Sequence, residues 1–196
     1  MTREPKVVRA AFDDDAVIVY QAYSPVIAEE ALRLGTFGPA FSLSRMTWIK
    51  PSFGWMLYRA GYGRKPGQDR VLRISISHEG FRAVLAAAVP SSFQRHLYPE
   101  RDAWDAALRA SPVRYQWDPD RDLVLVALPR RAIQLGIAGD FVRRYVHEWI
   151  RRIEDVTGLA HAIQAGERPL VPDEIPYPLE PATLRSLGCT EDAPAL

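Results

Sequence analysis

At 196 residues and 47% hydrophobic, the chain is long enough for one sizeable core and short for two independent ones. Its charges nearly cancel, 25 Lys plus Arg against 24 Asp plus Glu, so no chain-wide field draws it to nucleic acid or an anionic membrane, and any such contact must come from a local patch. Cys189 is the single cysteine, which excludes an internal disulfide and a multi-cysteine metal site and fits a reducing cytoplasm.

The start, Met-Thr-Arg-Glu-Pro-Lys, is polar with no apolar stretch behind it, and no window approaches a membrane span, so a cytoplasmic protein without membrane contact is expected. Val17 to Tyr23 reads as a buried strand from its β-branched and aromatic content. Ser24-Pro25 opens a helix whose stripe, Ile27, Ala28, Ala31, Leu32 and Leu34, ends at Gly35. Pro51 is expected to start a second helix through Arg59, because Ser52, Trp55, Met56 and Arg59 recur at helical spacing. Gly61, Gly63, Pro66 and Gly67 then form a flexible basic loop with Arg64 and Lys65.

Arg70 to Ser77 alternates apolar and polar residues as a half-buried strand does, and His78 to Ala88 reads as a helix packed on it. A helix is expected around Glu100 to Arg109. Val113 to Trp117 and Leu123 to Leu128 read as strands joined by the turn Asp118-Pro-Asp-Arg-Asp122, with a further strand from Arg131 to Ile137. The recurrence of Phe141, Tyr145, Trp149, Ile150 and Ile153 predicts one long helix from Asp140 to Val156. The expected organisation is a single α+β domain over residues 1–166, with a Pro-rich tail, residues 167–196, wrapped on the surface without regular structure.

The chemistry concentrates in Arg45 to Arg59. Two Trp, a Phe, a Tyr and two Arg surround Lys50-Pro51-Ser52. Aromatic faces beside fixed cations and a Ser-bearing helix start are what a pocket needs to grip an anionic ligand with a flat ring, such as a nucleotide. The same residues can equally be core aromatics with solvated cations. Gln21, polar within an apolar strand, must find partners, from a ligand or from neighbouring backbone. An acidic turn at Asp118, Asp120 and Asp122 can carry a catalytic carboxylate, although Asp is favoured in turns on conformational grounds alone. His78, His96, His147 and His161 show no metal-ligand spacing, so no metal is expected; the phosphate-binding glycine and Walker motifs and the serine-hydrolase elbow are also absent.

The strings Val-Tyr-Gln-Ala-Tyr-Ser at 19–24, Arg-Met-Thr-Trp-Ile-Lys-Pro-Ser-Phe at 45–53, Trp-Met-Leu-Tyr-Arg at 55–59, Gln-Trp-Asp-Pro at 116–119 and Ile-Gln-Leu-Gly at 133–136 resemble a bacterial and fungal family, domain of unknown function 4291. That resemblance covers about residues 5 to 158 and carries no activity with it. More distantly, Tyr20-Gln21-Ala22-Tyr23 before a helix, followed by Lys50-Pro51-Ser52 and Met56-Leu57-Tyr58, is similar in order to DNA-modifying ADP-ribosyltransferase toxins of the DarT type. Those enzymes read Tyr-His-x-Thr and then Pro-Arg-Ser-x-Met-Leu-Tyr, so Gln21 stands where they have His. The resemblance implies an ADP-ribosyltransferase-like mixed sheet and NAD as a substrate. Tyr20 and Gln21 would meet the nicotinamide-side ribose, with Trp48, Ser52, Trp55 and Tyr58 around the rings and Arg45 and Lys50 on the pyrophosphate. Asp122, with Asp118 and Gln134 behind it, would steady the developing positive charge. Arg64 and Lys65 would touch a nucleic-acid acceptor. The alternative is a noncatalytic nucleotide- or nucleic-acid-binding module using the same aromatics and cations.

Overall fold

The computed structural model describes residues 4–190 and 194–195. In chain order, β1 (Arg9–Ala10) and β2 (Ala16–Tyr23) lead into α1 (Pro25–Leu34), followed by β3 (Thr47–Ile49), α2 (Phe53–Ala60), β4 (Arg70–Ser77), α3 (His78–Ala87), β5 (Ala88–Pro90) and α4 (Arg101–Ala110). The hairpin β6 (Val113–Arg121) and β7 (Ala127–Ile137) precedes α5 (Asp140–Arg144), β8 (Ile150–Asp155), α6 (Thr157–Gln164), β9 (Ile175–Pro176) and α7 (Pro181–Ser186). The fold is α+β.

Two antiparallel-dominated sheets form its centre, ordered β2-β4-β8 and β3-β7-β6-β5, with only β5 and β6 parallel. A single bridge joins them, in which the Tyr20 N–H donates to the Lys50 carbonyl at 2.7 Å and the Lys50 N–H returns a bond to Tyr20 at 3.1 Å. The larger core packs α1, α3 and the π-helical turn Tyr145–Trp149 around Val17, Val19, Ile74, Ile76, Tyr115, Leu135 and Trp149. A second cluster places α2 and α6 on Tyr20 and Val71 through Phe53, Met56, Leu57, Ala160 and Ile163. Fully burying a side chain such as Phe53 or Leu57 contributes roughly 1.5–3 kcal/mol, so α2 is fixed by its apolar face while its start and opposite face are left for polar work.

The helix of α2 begins two residues later than its proline suggests. Ser52 is the N-cap, its Oγ accepting from the Trp55 N–H at 3.2 Å. Gly54 lets α2 lie directly on the hairpin, because a Cβ there would come within 2.0 Å of the Arg121 carbonyl oxygen.

Three expectations change. The predicted helix from Asp140 to Val156 ends as α5 at Arg144, passes through the π-helical turn and becomes β8, which pairs antiparallel with β4. The wider turn buries Tyr145, Val146 and Trp149 together, and the β-branched Ile150 and Ile153 then complete the sheet. The hairpin turn lies at 122–126 rather than 118–122, since β6 runs on to Arg121, with Asp118 paired to Ala132 and Asp120 in a bulge where the register shifts between Pro119 and Arg121. The tail carries β9 and α7 and enters the core, with Tyr177, Leu179 and Leu187 buried.

Candidate functional site

Strand β3 alternates, as strands must. Thr47 and Ile49 are buried toward the core, while Trp48 and Lys50 belong to the opposite face. On that face Trp48 is paired across from Gly136, and a Cβ on Gly136 would stand 2.9 Å from the indole carbons, so the glycine makes room for the ring. Lys50 follows Ile49, which pairs Leu135, so the lysine comes opposite Gln134; Gln134 in turn pairs Gln116 on β6, with Asp118 the next residue of that strand on the same side.

Gln134 organises the row. Its Nε2 donates to Asp118 Oδ2 at 2.6 Å and to Gln116 Oε1 at 2.8 Å. Asp118 is raised above the ordinary aspartate value by burial, against the lowering effects of the Gln134 hydrogen bond and of Arg59, Lys50 and Arg131. Its carboxyl thus sits in a partly dry setting ringed by cations.

Lys50 is the most unusual group. Only 8% exposed, it has for its ammonium a hydrogen bond of 3.5 Å to the Trp48 carbonyl oxygen, at the outer limit of such a contact. Burial pulls it from 10.5 down to about 8, and the charge of Arg59 adds to that effect while Asp118 opposes it. An ammonium with three donors and one long bond is under-satisfied by the protein. An anion brought to this face would supply what is missing.

Next to Asp118 a cavity of about 790 Å³ opens along β6 beyond the point where β5 stops at Pro90, lined by Gln116, Trp117, Asp118, Ser91, Lys6 and Arg131. Its size is that of a small-molecule site.

The other residues anticipated for the site are placed elsewhere. Gln21 is buried, and its amide is spent on the protein: Nε2 donates to the Tyr23 hydroxyl, Thr47 Oγ1 and the Trp48 carbonyl at 2.8, 2.7 and 3.2 Å, while Oε1 accepts from the Tyr145 hydroxyl at 2.7 Å. Tyr20 is stacked on Phe53 inside the second cluster. Asp122 closes the hairpin, its Oδ1 accepting from the Val124 and Val126 N–H groups at 3.0 and 2.8 Å. Ser52 Oγ donates to Asp120 at 2.8 Å besides capping α2. Trp55 is buried and stacked on Tyr58, whose ring also carries the Arg121 guanidinium at 4.6 Å. Arg45 belongs to a separate pocket beside Tyr23 and Phe41. Lys65 donates to the carbonyls of Tyr58 and Arg59 at the end of α2, and Arg64 reaches Gln164 on α6. Of the anticipated set, the structure brings together Trp48, Lys50, Asp118 and Gln134.

Sequence reasoning passed over Gln116 and Glu174, and placed Asp120 in a turn rather than in β6. Asp120 is 2% exposed and forms an ion pair with Arg130 at 2.7 Å. The signal available for Gln116 was its i, i+2 spacing from Asp118, which puts both on one face of a strand; Asp120 lies where the β6–β7 register shifts, which no local pattern marks. Nothing local to Glu174 marks it, because its partners come from α2 and β1. Among the described residues no group of three or more His, Cys, Asp or Glu could hold a metal ion, and no helix is long and apolar enough to cross a membrane.

The model of a family described as domain of unknown function (DUF4291) matches residues 7–175, and the chain belongs to that family. No curated protein matches the chain.

Proposed function

We propose, since the family description assigns no activity, that the Trp48–Lys50–Asp118 face binds NAD and that the chain is an ADP-ribosyltransferase, with a nucleic-acid group as the candidate acceptor. The observation that carries this reading is the buried Lys50 ammonium, under-satisfied by the protein and set beside the half-buried Trp48 and the Asp118 carboxyl. A pyrophosphate would complete the donors of Lys50 and Arg59, and Trp48 would cover a ring. Breaking the ribose C1′ to nicotinamide bond sends the electron pair to the departing ring and leaves positive charge on the sugar. Asp118, held in place by Gln134, supplies the opposing negative charge there, and the acceptor forms the new bond at C1′ as its displaced proton passes to solvent.

A noncatalytic nucleotide-binding module is the second possibility. It is favoured by the commitment of Gln21 and Asp122 to hydrogen bonds within the fold, which leaves Asp118 as the remaining carboxylate of the anticipated catalytic set. The test is calorimetric titration with NAD, followed by incubation with labelled NAD and separate pools of DNA, RNA and protein. Label transferred by the wild type and lost in Asp118→Asn, with NAD affinity held within a few fold, supports the transferase. Binding without transfer supports the module. No binding at millimolar NAD overturns both for this ligand.

A further inference from the structure

On the sheet face that carries Lys50, the strand register places a further cation. Arg114 pairs Gly136 on β7 and Val89 on β5, and Gly136 pairs Trp48 on its other side, so Arg114 and Trp48 share a face with the glycine between them. The indole leans over that glycine, its Cε2 and Cζ2 lying 2.9 Å from where a Cβ would stand. Arg114 is half-buried and its Nε is buried without an acceptor; the guanidinium makes no hydrogen bond, ion pair or ring contact with any described residue. Asp118, on the same face, stands four residues further along β6, roughly 13 Å by strand rise, and its Oδ2 is taken by Gln134.

Unpaired donors on a half-buried guanidinium cost stability until an anion completes them. Lys50 presents the same deficit from β3, its Nζ drawn back toward the Trp48 carbonyl at 3.5 Å. Two strand spacings, roughly 10 Å, separate β3 from β6. One phosphate on Lys50 therefore leaves Arg114 short, whereas two phosphates on opposite sides of one sugar come within reach of both. The strands between offer groups that a sugar can meet. Gln134 Oε1 and Gln116 Nε2 have no partner among the described residues, because the other ends of the two amides are spent on each other and on Asp118. A ring carried by that sugar falls toward Trp48.

We infer that Lys50 and Arg114 form a two-point clamp for a nucleotide phosphorylated on both sides of its ribose, the repeating unit of a nucleic-acid strand. Arg114 takes one phosphate through its fork of N–H groups, Lys50 takes the other as a point charge, and Trp48 meets the base. The clamp discriminates by where the phosphates sit. Adjacent phosphates, as in ADP, satisfy Lys50 and leave the Arg114 donors unpaired. This inference rests on the binding-module reading of the face and names its ligand; it does not require NAD.

The test is calorimetric titration of the full chain with adenosine 3′,5′-bisphosphate and with ADP, which share base, sugar and phosphate count. The bisphosphate is expected to bind on the order of tenfold more tightly than ADP. In Arg114→Gln that preference should vanish while ADP affinity stays within about threefold, and Arg114→Lys should keep part of it. Urea unfolding of Arg114→Gln should coincide with that of the wild type, because the guanidinium bonds to nothing in the fold. A single-stranded adenine hexanucleotide separates the two sources of such a unit: Arg114-dependent binding tighter than that of the bisphosphate assigns the clamp to a strand, and weaker binding assigns it to the free nucleotide. Equal affinity for ADP and the bisphosphate, or no binding of the bisphosphate, overturns the clamp and leaves the NAD reading to its own titration. Preference for the bisphosphate without NAD binding upholds the clamp and retires that reading. An Arg114→Gln variant that keeps the preference, or that unfolds at lower urea, also overturns the clamp.

Discussion

Replacing Lys50 by Met should make the protein more stable at neutral pH and at the same time remove its affinity for an anionic ligand. Met keeps most of the side-chain volume without the charge. The gap between the ordinary lysine value of 10.5 and about 8 corresponds to roughly 3 kcal/mol of penalty for holding the ammonium in place. Relaxation of the variant and loss of the long bond to Trp48 reduce the expected gain to about 1–3 kcal/mol. The sign with pH follows from the direction of the shift. A lysine whose folded value is depressed destabilises the fold below that value, and the penalty is relieved as pH rises from about 8 toward 10.5. Urea unfolding of the wild type should therefore show rising stability between pH 7 and pH 9.5 relative to Lys50→Met. The two curves should converge at the alkaline end. Calorimetry should show the variant's NAD binding lost. A variant less stable than the wild type at pH 7 would mean that the ammonium is satisfied where it lies, and the argument for an anion on this face would fail with it.

Three further substitutions separate structural roles from chemical ones. Gly54→Ala should cost about 3 kcal/mol or more in urea unfolding, because its methyl would meet the Arg121 main chain, which no rotamer change can move; a cost below 1 kcal/mol would show that α2 is not seated on the hairpin as described. Gln21→Ala should destabilise by roughly 3–5 kcal/mol, since it leaves the Tyr145 and Thr47 hydroxyls short of partners in a new cavity. The folded fraction should still bind NAD within a few fold, and lost binding in well-folded protein would return Gln21 to the site. Asp122→Ala should cost about 1 kcal/mol through the hairpin turn and leave any ADP-ribose transfer unchanged, as measured with labelled NAD. Abolished transfer would make Asp122 the carboxylate instead of Asp118.

Where the chain's local pattern and its tertiary surroundings agree, the sequence was sufficient. β2, α1 and β4 were legible because β-branched content, an apolar stripe and alternation respectively matched the face each element buries, and α3 and α4 lie where helices were expected. The stretch from Asp140 to Asp155 was not. Its aromatic spacing is helical, but the outer edge of β4 offers ladder bonds that the last six residues take up, and no local pattern announces that vacancy. Asp118 and Asp120 read as turn residues by composition, yet each is held on the strand by a partner distant in sequence, Gln134 for one and Arg130 with Ser52 for the other. Glu174 was illegible for the same reason.

The segment from Arg45 to Arg59 shows why a composition that suggests a pocket locates it only in part. Its cations and aromatics are adjacent in sequence, but a short strand followed by a helix sends them in different directions. The two-residue period of β3 puts Trp48 and Lys50 on the face with Gln134, Gln116 and Asp118. The helical turn that follows buries Phe53, Met56 and Leu57 and commits the free amide of Phe53 to the chain's own Glu174. The helix start expected to grip a phosphate is already capped by a carboxyl group from the same chain, whereas the lysine just before it lacks a close partner. Competition between phosphate and Glu174 would place a ligand at α2, and insensitivity of ligand affinity to Glu174→Gln, combined with its loss in Lys50→Met, would place it on the sheet face.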